Sequence, residues 1–289
     1  MLENNLYKDR SYSSCINAAY ELMYTNITTI FKKTWTAVLV YSIIFAVNTI
    51  YLGVIVSSFT TLAILVVRSW IDAIVISLLN EKKQKNNFFA IIRIYIFYIG
   101  VFFLYTLIIV AINYGLSLIF KDIMSNLYSI YLPVNFLILL ILFIAFIPVI
   151  YLGMKYLIQT DTNMLSVFKR NYNYGWKYCG FIAMVILLVF IITIAIYFVV
   201  TMPLTISLFI NRQNTIGIIQ GDANGLPAYY GALNFIICTV VIFFMNYISI
   251  WWILVMYYMY GSIEAKCMAK NNYTNNGYDD EKENIIYRS

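Results

Sequence analysis

Six long apolar stretches constrain the fold of this chain more than any other feature of its sequence. They lie at residues 34–56, 59–80, 88–118, 130–157, 177–208 and 232–263. About 20 apolar residues in a helix cross the roughly 30 Å hydrocarbon core of a bilayer, and a helix satisfies its own backbone hydrogen bonds in lipid. The sequence therefore predicts an all-α, polytopic membrane protein with six transmembrane helices.

The composition favours lipid as the main solvent of the chain. Apolar residues make up 62% of the sequence and charged residues 11%, whereas a soluble domain has about 25% charged residues. The net charge of +6 comes from bases spread between the apolar stretches, which argues against a nucleic-acid partner. Histidine is absent and the four cysteines are far apart, so we expect no metal, no cofactor and no enzymatic activity.

Lysine and arginine alternate between the two sides of the predicted membrane domain. Successive segments carry 4, 0, 4, 1, 4, 1 and 4 of these bases, when a base near the end of a span is counted with the adjoining loop. Short loops rich in lysine and arginine stay in the cytoplasm. We therefore expect three helical hairpins with both termini cytoplasmic, in the inner membrane of a bacterium.

Two segments flank the predicted membrane domain, which comprises residues 34–266. In the leader, residues 1–33, apolar side chains recur at the spacing of a helix that lies in the membrane interface. These side chains are Ile16, Ala19, Tyr20, Met23, Ile27, Ile30 and Phe31. The tail, residues 267–289, has too few apolar residues to fold, so we expect it to be disordered in the cytoplasm.

A short motif occurs twice, each time on the cytoplasmic side of a predicted span. TNITTIFKK begins at Thr25, TNMLSVFKR begins at Thr162, and NNFFAIIR, from Asn86, is a weaker third copy. Interfacial helices can converge on a polar cap, an anchoring aromatic residue and paired bases. The alternative is internal duplication of a unit made of an interfacial helix and a hairpin, which occurs in transporters and in proteins that transport nothing.

Arg68 and Asp72 are the formal charges placed well inside a predicted span. A lone charge at that depth is costly and faces either the interior of the helix bundle or a wet cavity. Their i, i+4 spacing places both residues on one face of one helix, where they can pair. The pair is our candidate site: it either lines a polar cavity or gate, or it is a neutral pair that fixes helix packing. We assign no catalytic, cofactor-binding or metal-binding residue.

Other polar and aromatic residues carry weaker signals. Glu264 is expected to be a solvated charge, and Asp222 with Asn224 lacks the ligand spacing of a calcium loop. The cluster WWILVMYYMY, from Trp251, is typical of an aromatic belt at the membrane interface, although a lipid or quinone groove would use the same residues. Amides in or near the spans can bond across helices; they are Asn48, Asn113, Asn135, Asn234 and Asn246.

The overall pattern resembles a group of bacterial six-span membrane proteins. The features that carry the resemblance are the tight hairpins, FKK or FKR before a span, and NYGWKYCGF at the start of the fifth span. The group is similar to the membrane domain fused to some glycerophosphodiester phosphodiesterases. The resemblance implies a fold but no activity and no catalytic motif. We expect a protein that binds or transports a lipid or small molecule; the alternative is a structural or assembly subunit with a membrane-protein partner.

Overall fold

The computed structural model is helical, with no strand in the part of the chain that it describes. It describes the backbone of residues 5–51, 54–80, 82–119, 127–159, 163–221, 225–227 and 229–286, with side chains in the same ranges except at 54–58, 116–119, 127–132 and 271–286. The helices are α1 (Tyr12–Thr25), α2 (Ile27–Ile50), α3 (Val54–Leu79), α4 (Gln84–Ile119), α5 (Leu127–Ile158), α6 (Met164–Lys177), α7 (Cys179–Ile219) and α8 (Tyr230–Ile286).

Within these ranges, six helices are long and apolar enough to cross a membrane. Their spanning portions are Ile27–Ile50, Phe59–Leu79, Gln84–Gly115, Pro133–Ile158, Cys179–Ile219 and Tyr230–Lys270. The all-α, six-span fold predicted from the sequence is therefore confirmed, and the chain is a multi-pass membrane protein. Pro133 and Pro148 lie inside α5, and Pro203 lies inside α7, positions where membrane helices tolerate proline.

The chain folds into two compact units, of which the first comprises Met1–Gln84 and Met184–Ser289. In this unit α2 packs on α3 and on α8, and α1 packs on α8. Ala46 of α2 joins Cys238 and Ile242 of α8 in one apolar cluster, and Leu204 of α7 packs against it. The unit thus brings together helices from the two ends of the sequence.

The second unit comprises Lys85–Ala183 and contains α4, α5 and α6. Its core joins Ala90 and Ile94 of α4 to Tyr156 of α5 and Val167 of α6. At Gly153 a Cβ atom would lie 2.7 Å from the hydroxyl oxygen of Tyr98. The absence of a side chain at Gly153 therefore makes room for the Tyr98 hydroxyl of α4 beside α5.

The leader forms its own helix, and its buried face differs from the predicted stripe. Asn26, with φ −113° and ψ 16°, separates α1 from α2. Three residues of the predicted stripe are buried and three are exposed; the buried ones are Ile16, Ala19 and Ile30, and the exposed ones are Tyr20, Ile27 and Phe31. Cys15 and Leu22, which were not in the predicted stripe, complete the buried face of α1. The interfacial position of the leader stays a prediction.

The two copies of the repeated motif occupy different elements. Asn26 is the N-cap residue of α2 and Asn163 is that of α6, and the equivalent residues Ile30 and Val167 are both buried. The first copy, however, opens a span, whereas the second opens a short amphipathic helix. Thr162 lies outside the described residues, and the weaker third copy lies within α4 with no break after it.

The predicted tail begins inside α8, which continues without a break past residue 267 to Ile286. The side chains described in α8 end at Lys270. The disorder of residues 267–289 therefore stays a prediction.

Candidate functional site

Arg68 and Asp72 form an ion pair on α3. The Nη2 atom of Arg68 lies 3.0 Å from Oδ1 of Asp72, and Nε donates to Oδ2 at 3.3 Å. This two-pronged geometry suits a guanidinium and a carboxylate. The side chains are 20% and 8% exposed and lie in the apolar span Phe59–Leu79, so the pair neutralises two charges where each alone would be costly.

Asn246 of α8 completes this buried cluster. Nη1 of Arg68 donates to Oδ1 of Asn246 at 3.1 Å. The amide group of Asn246 in turn donates from Nδ2 to the carbonyl of Ile242 at 2.8 Å, which fixes its oxygen toward the guanidinium. The sequence pointed to all three residues but not to their meeting. We call Arg68, Asp72 and Asn246 the polar cluster; it ties α3 to α8.

The polar cluster offers structure rather than chemistry. It contains no nucleophile with an adjacent base, which acyl or phosphoryl transfer would require. Among the described residues, no group of three or more cysteine, aspartate or glutamate side chains could hold a metal ion. Its evident effect is to fix two helices against each other.

Three of the five amides singled out by the sequence bond between helices. The bonded pairs are Asn48 with Thr60, Asn234 with Ser207 and Asn246 with Arg68. The Oδ1 atoms of Asn113 and Asn135 are buried and have no hydrogen-bond partner within the described part of the chain. Bonding across helices is thus confirmed for the first unit, where all three pairs lie.

An apolar groove runs between α7 and α8 in the first unit. Its volume is about 780 Å³, within the roughly 300–1,000 Å³ range of small-molecule sites. Its wall includes Tyr20 and Met23 of α1, Ile196 and Pro203 of α7, and Val240 and Trp251 of α8. The α8 wall, from Val240 to Trp251, extends about 16 Å along the helix. That length is about half of the hydrocarbon core of a bilayer.

Hydrogen bonds join α7 to α8 at one end of the groove and beyond its other end. Toward one end, Nε1 of Trp252 donates to Oγ1 of Thr193 at 2.6 Å. Toward the other, the side chains of Ser207 and Asn234 bond, and the Tyr230 hydroxyl donates to the carbonyl of Ser207 at 3.0 Å. The groove is therefore a gap between two fixed attachments.

The wall of the groove consists mainly of aliphatic and aromatic side chains. Trp251 is 8% exposed, and its buried indole N–H has no acceptor among the described residues. Val199 and Pro203 are both exposed in the α7 wall. The groove therefore suits a mainly apolar ligand.

The segment before α1 is fixed to α8 by contacts that sequence reasoning missed. The buried Arg10 guanidinium lies 4.8 Å from the centre of the Tyr258 ring and donates to the carbonyl of Leu6 at 2.9 Å. The Arg10 N–H donates to the Ser262 hydroxyl at 3.0 Å, and that hydroxyl donates back to the Arg10 carbonyl at 3.1 Å. Leu6 lies against Gly261, where a Cβ atom would be 2.4 Å from the Leu6 carbonyl oxygen. We call residues 5–10 the N-terminal clasp.

Cys15 lies at the contact of α1 with α8. It is completely buried, and Sγ donates to the carbonyl of Tyr258 at 3.9 Å. Burial raises the pKa of the Cys15 thiol to about 11, so very little of the reactive thiolate forms at neutral pH. Cys15 is therefore a packing residue and not a nucleophile.

Two interpretations of the sequence are wrong near the end of α8. Glu264 is 8% exposed and is not a solvated charge. The aromatic cluster is not a lipid-facing belt, because α1 packs on this part of α8; its buried members include Trp251, Tyr257, Tyr258 and Tyr260. Asp222 and Asn224 lie outside the described residues.

No protein-family model, curated protein or solved structure matches this chain. The resemblance to the membrane domain of glycerophosphodiester phosphodiesterases therefore stays a prediction.

Proposed function

We propose that this protein binds a lipid, holding one acyl chain in the groove between α7 and α8, and that it serves a lipid-binding or transport role without enzymatic activity. The observation that carries the proposal is the groove itself. It is an apolar gap that is lined by two membrane-spanning helices and bounded by hydrogen bonds toward both ends. A bilayer supplies acyl chains to such a gap directly.

The dimensions of the groove favour an acyl chain over a compact metabolite. The wall from Val240 to Trp251 matches the depth of one leaflet, about 15 Å. Tyr20 and Trp251 both line the groove. The contacts of Cys15 with Tyr258 and of Phe31 with Tyr247 place Tyr20 toward the Trp251 end of the groove.

The helix α1 distinguishes this groove from an ordinary lipid-facing surface. Tyr20 and Met23 of α1 form part of the wall, and the N-terminal clasp fixes the start of α1 to α8. A chain in the groove therefore contacts three elements instead of two. More contacts and a restricted opening slow the exchange of a bound lipid with the bilayer, since affinity differences mainly change the rate of dissociation.

We assign the polar cluster a supporting role in this function. It holds α8 against α3 at Asn246, and the next residue, Tyr247, lines the groove. Because the α8 wall is fixed, the groove has the same shape before and after a lipid binds, which lowers the entropy cost of binding. The cluster would then affect the stability of the site without touching the lipid.

The orientation that we propose places both termini in the cytoplasm of a bacterium, with the protein in the inner membrane. The alternation of four bases with one or none between successive segments supports this orientation, because lysine and arginine are retained on the cytoplasmic side. The clasp, α1 and the Tyr20 end of the groove would then face the cytoplasmic leaflet.

The proposal is tested by filling the groove and leaving the neighbouring surface alone. Ile196 lines the groove, whereas Ile194, two residues earlier on α7, is exposed and does not. We expect Ile196→Trp to remove the lipid that co-purifies with the wild-type protein, because the indole occupies its volume. Ile194→Trp adds the same side chain outside the groove and should retain it.

Native mass spectrometry of the gently extracted protein gives the lipid content of each variant. Equal lipid retention by Ile196→Trp and Ile194→Trp would contradict the proposal. A wild-type protein that carries a tightly bound second protein and no lipid would favour the subunit alternative instead.

A further inference from the structure

The second unit contains a cavity that has no residue in common with the groove. Its volume is about 610 Å³. The wall comes from α4, from the end of α5 and from the start of α6, and includes Arg93, Phe97, Tyr156, Asn163, Leu165 and Ser166. No carboxylate is among the described residues of this wall. The cavity is therefore positively charged as well as partly apolar.

Arg93 provides the positive charge of this cavity. It lies near the start of the span Gln84–Gly115, and its side chain is exposed. Nη1 of Arg93 donates to the Tyr156 hydroxyl at 3.3 Å, and no ion-pair partner of Arg93 occurs among the residues that the structure describes. A guanidinium has five N–H donors, so several remain for a ligand.

The start of α6 adds a weaker attraction for negative charge. The Asn163 side chain makes no capping hydrogen bond, and the first turn contains no acidic residue. The Ser166 hydroxyl donates to the Asn163 carbonyl at 2.7 Å. The backbone N–H groups at a helix start carry a partial positive charge, and here they adjoin the cavity that Arg93 lines.

We propose that this cavity binds a phosphate group, with Arg93 as the principal ligand and the Tyr156 hydroxyl as a second donor. Arginine binds phosphate oxygens with two parallel N–H bonds. Phosphate is available both as the headgroup of a phospholipid and as the free ion or a small ester. The two sources share the same recognition chemistry, and the apolar side chains of Phe97 and Leu165 can flank either one.

Leu165 allows a test that leaves the protein core untouched. Its side chain is 72% exposed in the first turn of α6. Leu165→Glu places a carboxylate at the cavity wall and should repel a phosphate, whereas Leu165→Gln adds a neutral side chain of the same size. A carboxylate in the first turn favours the helix, so lost binding in Leu165→Glu could not be due to a melted α6. Arg93→Gln removes the ligand itself, and Arg170→Gln removes an arginine of α6 that does not line the cavity.

Two binding measurements on the full chain distinguish the two sources. One is calorimetry with inorganic phosphate in an uncharged detergent; the other is preference for phosphatidylglycerol over a phosphate-free galactolipid in mixed vesicles. We expect Leu165→Glu and Arg93→Gln to weaken phosphate binding roughly tenfold, and Leu165→Gln and Arg170→Gln to leave it unchanged. A loss in the vesicle experiment alone identifies a lipid headgroup, and a loss with inorganic phosphate identifies the free ion.

The proposal is overturned if the wild-type protein shows neither phosphate binding nor a preference for the anionic lipid. It is equally overturned if Leu165→Glu and Leu165→Gln bind alike. Either result would leave the lipid groove of the first unit unaffected, because the two sites share no residue.

Discussion

At the scale of single residues, the interior of the first unit pairs several of its polar groups with side chains on another helix. Arg68 bonds Asp72 on its own helix and Asn246 on α8, and Thr193 on α7 accepts from Trp252 on α8. In a membrane the loss of one partner leaves the other group without water as a substitute. The side chains of such pairs are therefore expected to be coupled in stability.

The Arg68–Asp72 pair gives the clearest test of this coupling. Asp72→Ala leaves the Arg68 charge buried without its counter-charge, so we expect it to lower the free energy of unfolding by about 3 kcal/mol. The double variant Arg68→Ala with Asp72→Ala removes both charges and should be more stable than Asp72→Ala alone. Melting temperatures in one detergent measure the difference. Equal melting temperatures for the single and double variants would show that the two charges are not coupled.

The same residues separate the packing interpretation from the cavity interpretation. If the polar cluster only fixes α3 against α8, the double variant should still retain lipid at temperatures well below its melting point. If the pair lines a hydrated cavity used in transport, lipid binding or movement should be lost while the double variant stays folded.

At the scale of elements, α1 and α6 are structural counterparts. Both have 14 residues, and each ends at a single non-helical residue, Asn26 or Tyr178, with ψ of 16°, before a long apolar helix begins. Each carries an aromatic pair stacked one turn apart, Tyr20 with Tyr24 at 6.0 Å and Tyr172 with Trp176 at 6.4 Å. The two members of each pair are 152 residues apart from their counterparts in the other helix. The same separation holds for the first residues of the two helices, Tyr12 and Met164.

This structural correspondence differs in register from the repeated motif. The copies of the motif are separated by 137 residues, from Thr25 to Thr162, so the motif ends up at the start of α2 in one case and at the start of α6 in the other. The unit that recurs in the structure is a short amphipathic helix, a break and a span. The match of cap geometry and stacked pairs supports duplication of this unit, whereas the motif alone is also compatible with convergence.

The contact of the clasp with α8 can be tested through the reactivity of Cys15. A Cβ atom at Gly261 would lie 2.4 Å from the carbonyl oxygen of Leu6, so Gly261→Val must displace the clasp. With a pKa of about 11, on the order of 0.1% of the Cys15 thiol is ionised at pH 8. Displacement exposes the thiol and returns its pKa toward the ordinary value of 9.0. We expect alkylation of Cys15 at pH 8 to accelerate roughly tenfold or more.

Peptide mass spectrometry after timed alkylation reports Cys15 separately from the other cysteines. Gly231→Val is the matched control on α8, because a Cβ atom at Gly231 meets nothing within 4 Å. Raising the pH should increase the rate in the wild-type protein up to about pH 11, since a raised pKa keeps the thiol protonated below that value. The same slow rate in Gly261→Val and Gly231→Val would mean that the clasp does not protect Cys15.

At the scale of the whole molecule, the spans could be predicted because each depends on local composition alone. Any stretch of about 20 apolar residues identifies itself. The six spans lie where they were predicted, but their ends differ from the predicted ones by up to 11 residues, as at Ile219 of α7. The breaks at Asn26 and Tyr178 each involve a single residue without a strong breaker signal. The burial of Arg10 and Glu264, and the groove between α7 and α8, depend on contacts between residues far apart in the chain, which hydropathy does not encode.

The orientation of the whole protein is a prediction that charge alone makes, and it can be tested with reporter fusions. Green fluorescent protein fused after Lys270 should fluoresce and alkaline phosphatase there should be inactive, because the bases keep this end in the cytoplasm. A phosphatase inserted at Gly221, between α7 and α8, should be active. Replacing Lys82, Lys83 and Lys85 by glutamine removes three of the four bases counted with the segment between α3 and α4, so part of the population should invert. Arg212→Gln removes an outer base and should not cause inversion. An active phosphatase after Lys270 in the wild-type chain would reverse the orientation and would place the clasp and the Tyr20 end of the groove in the opposite leaflet.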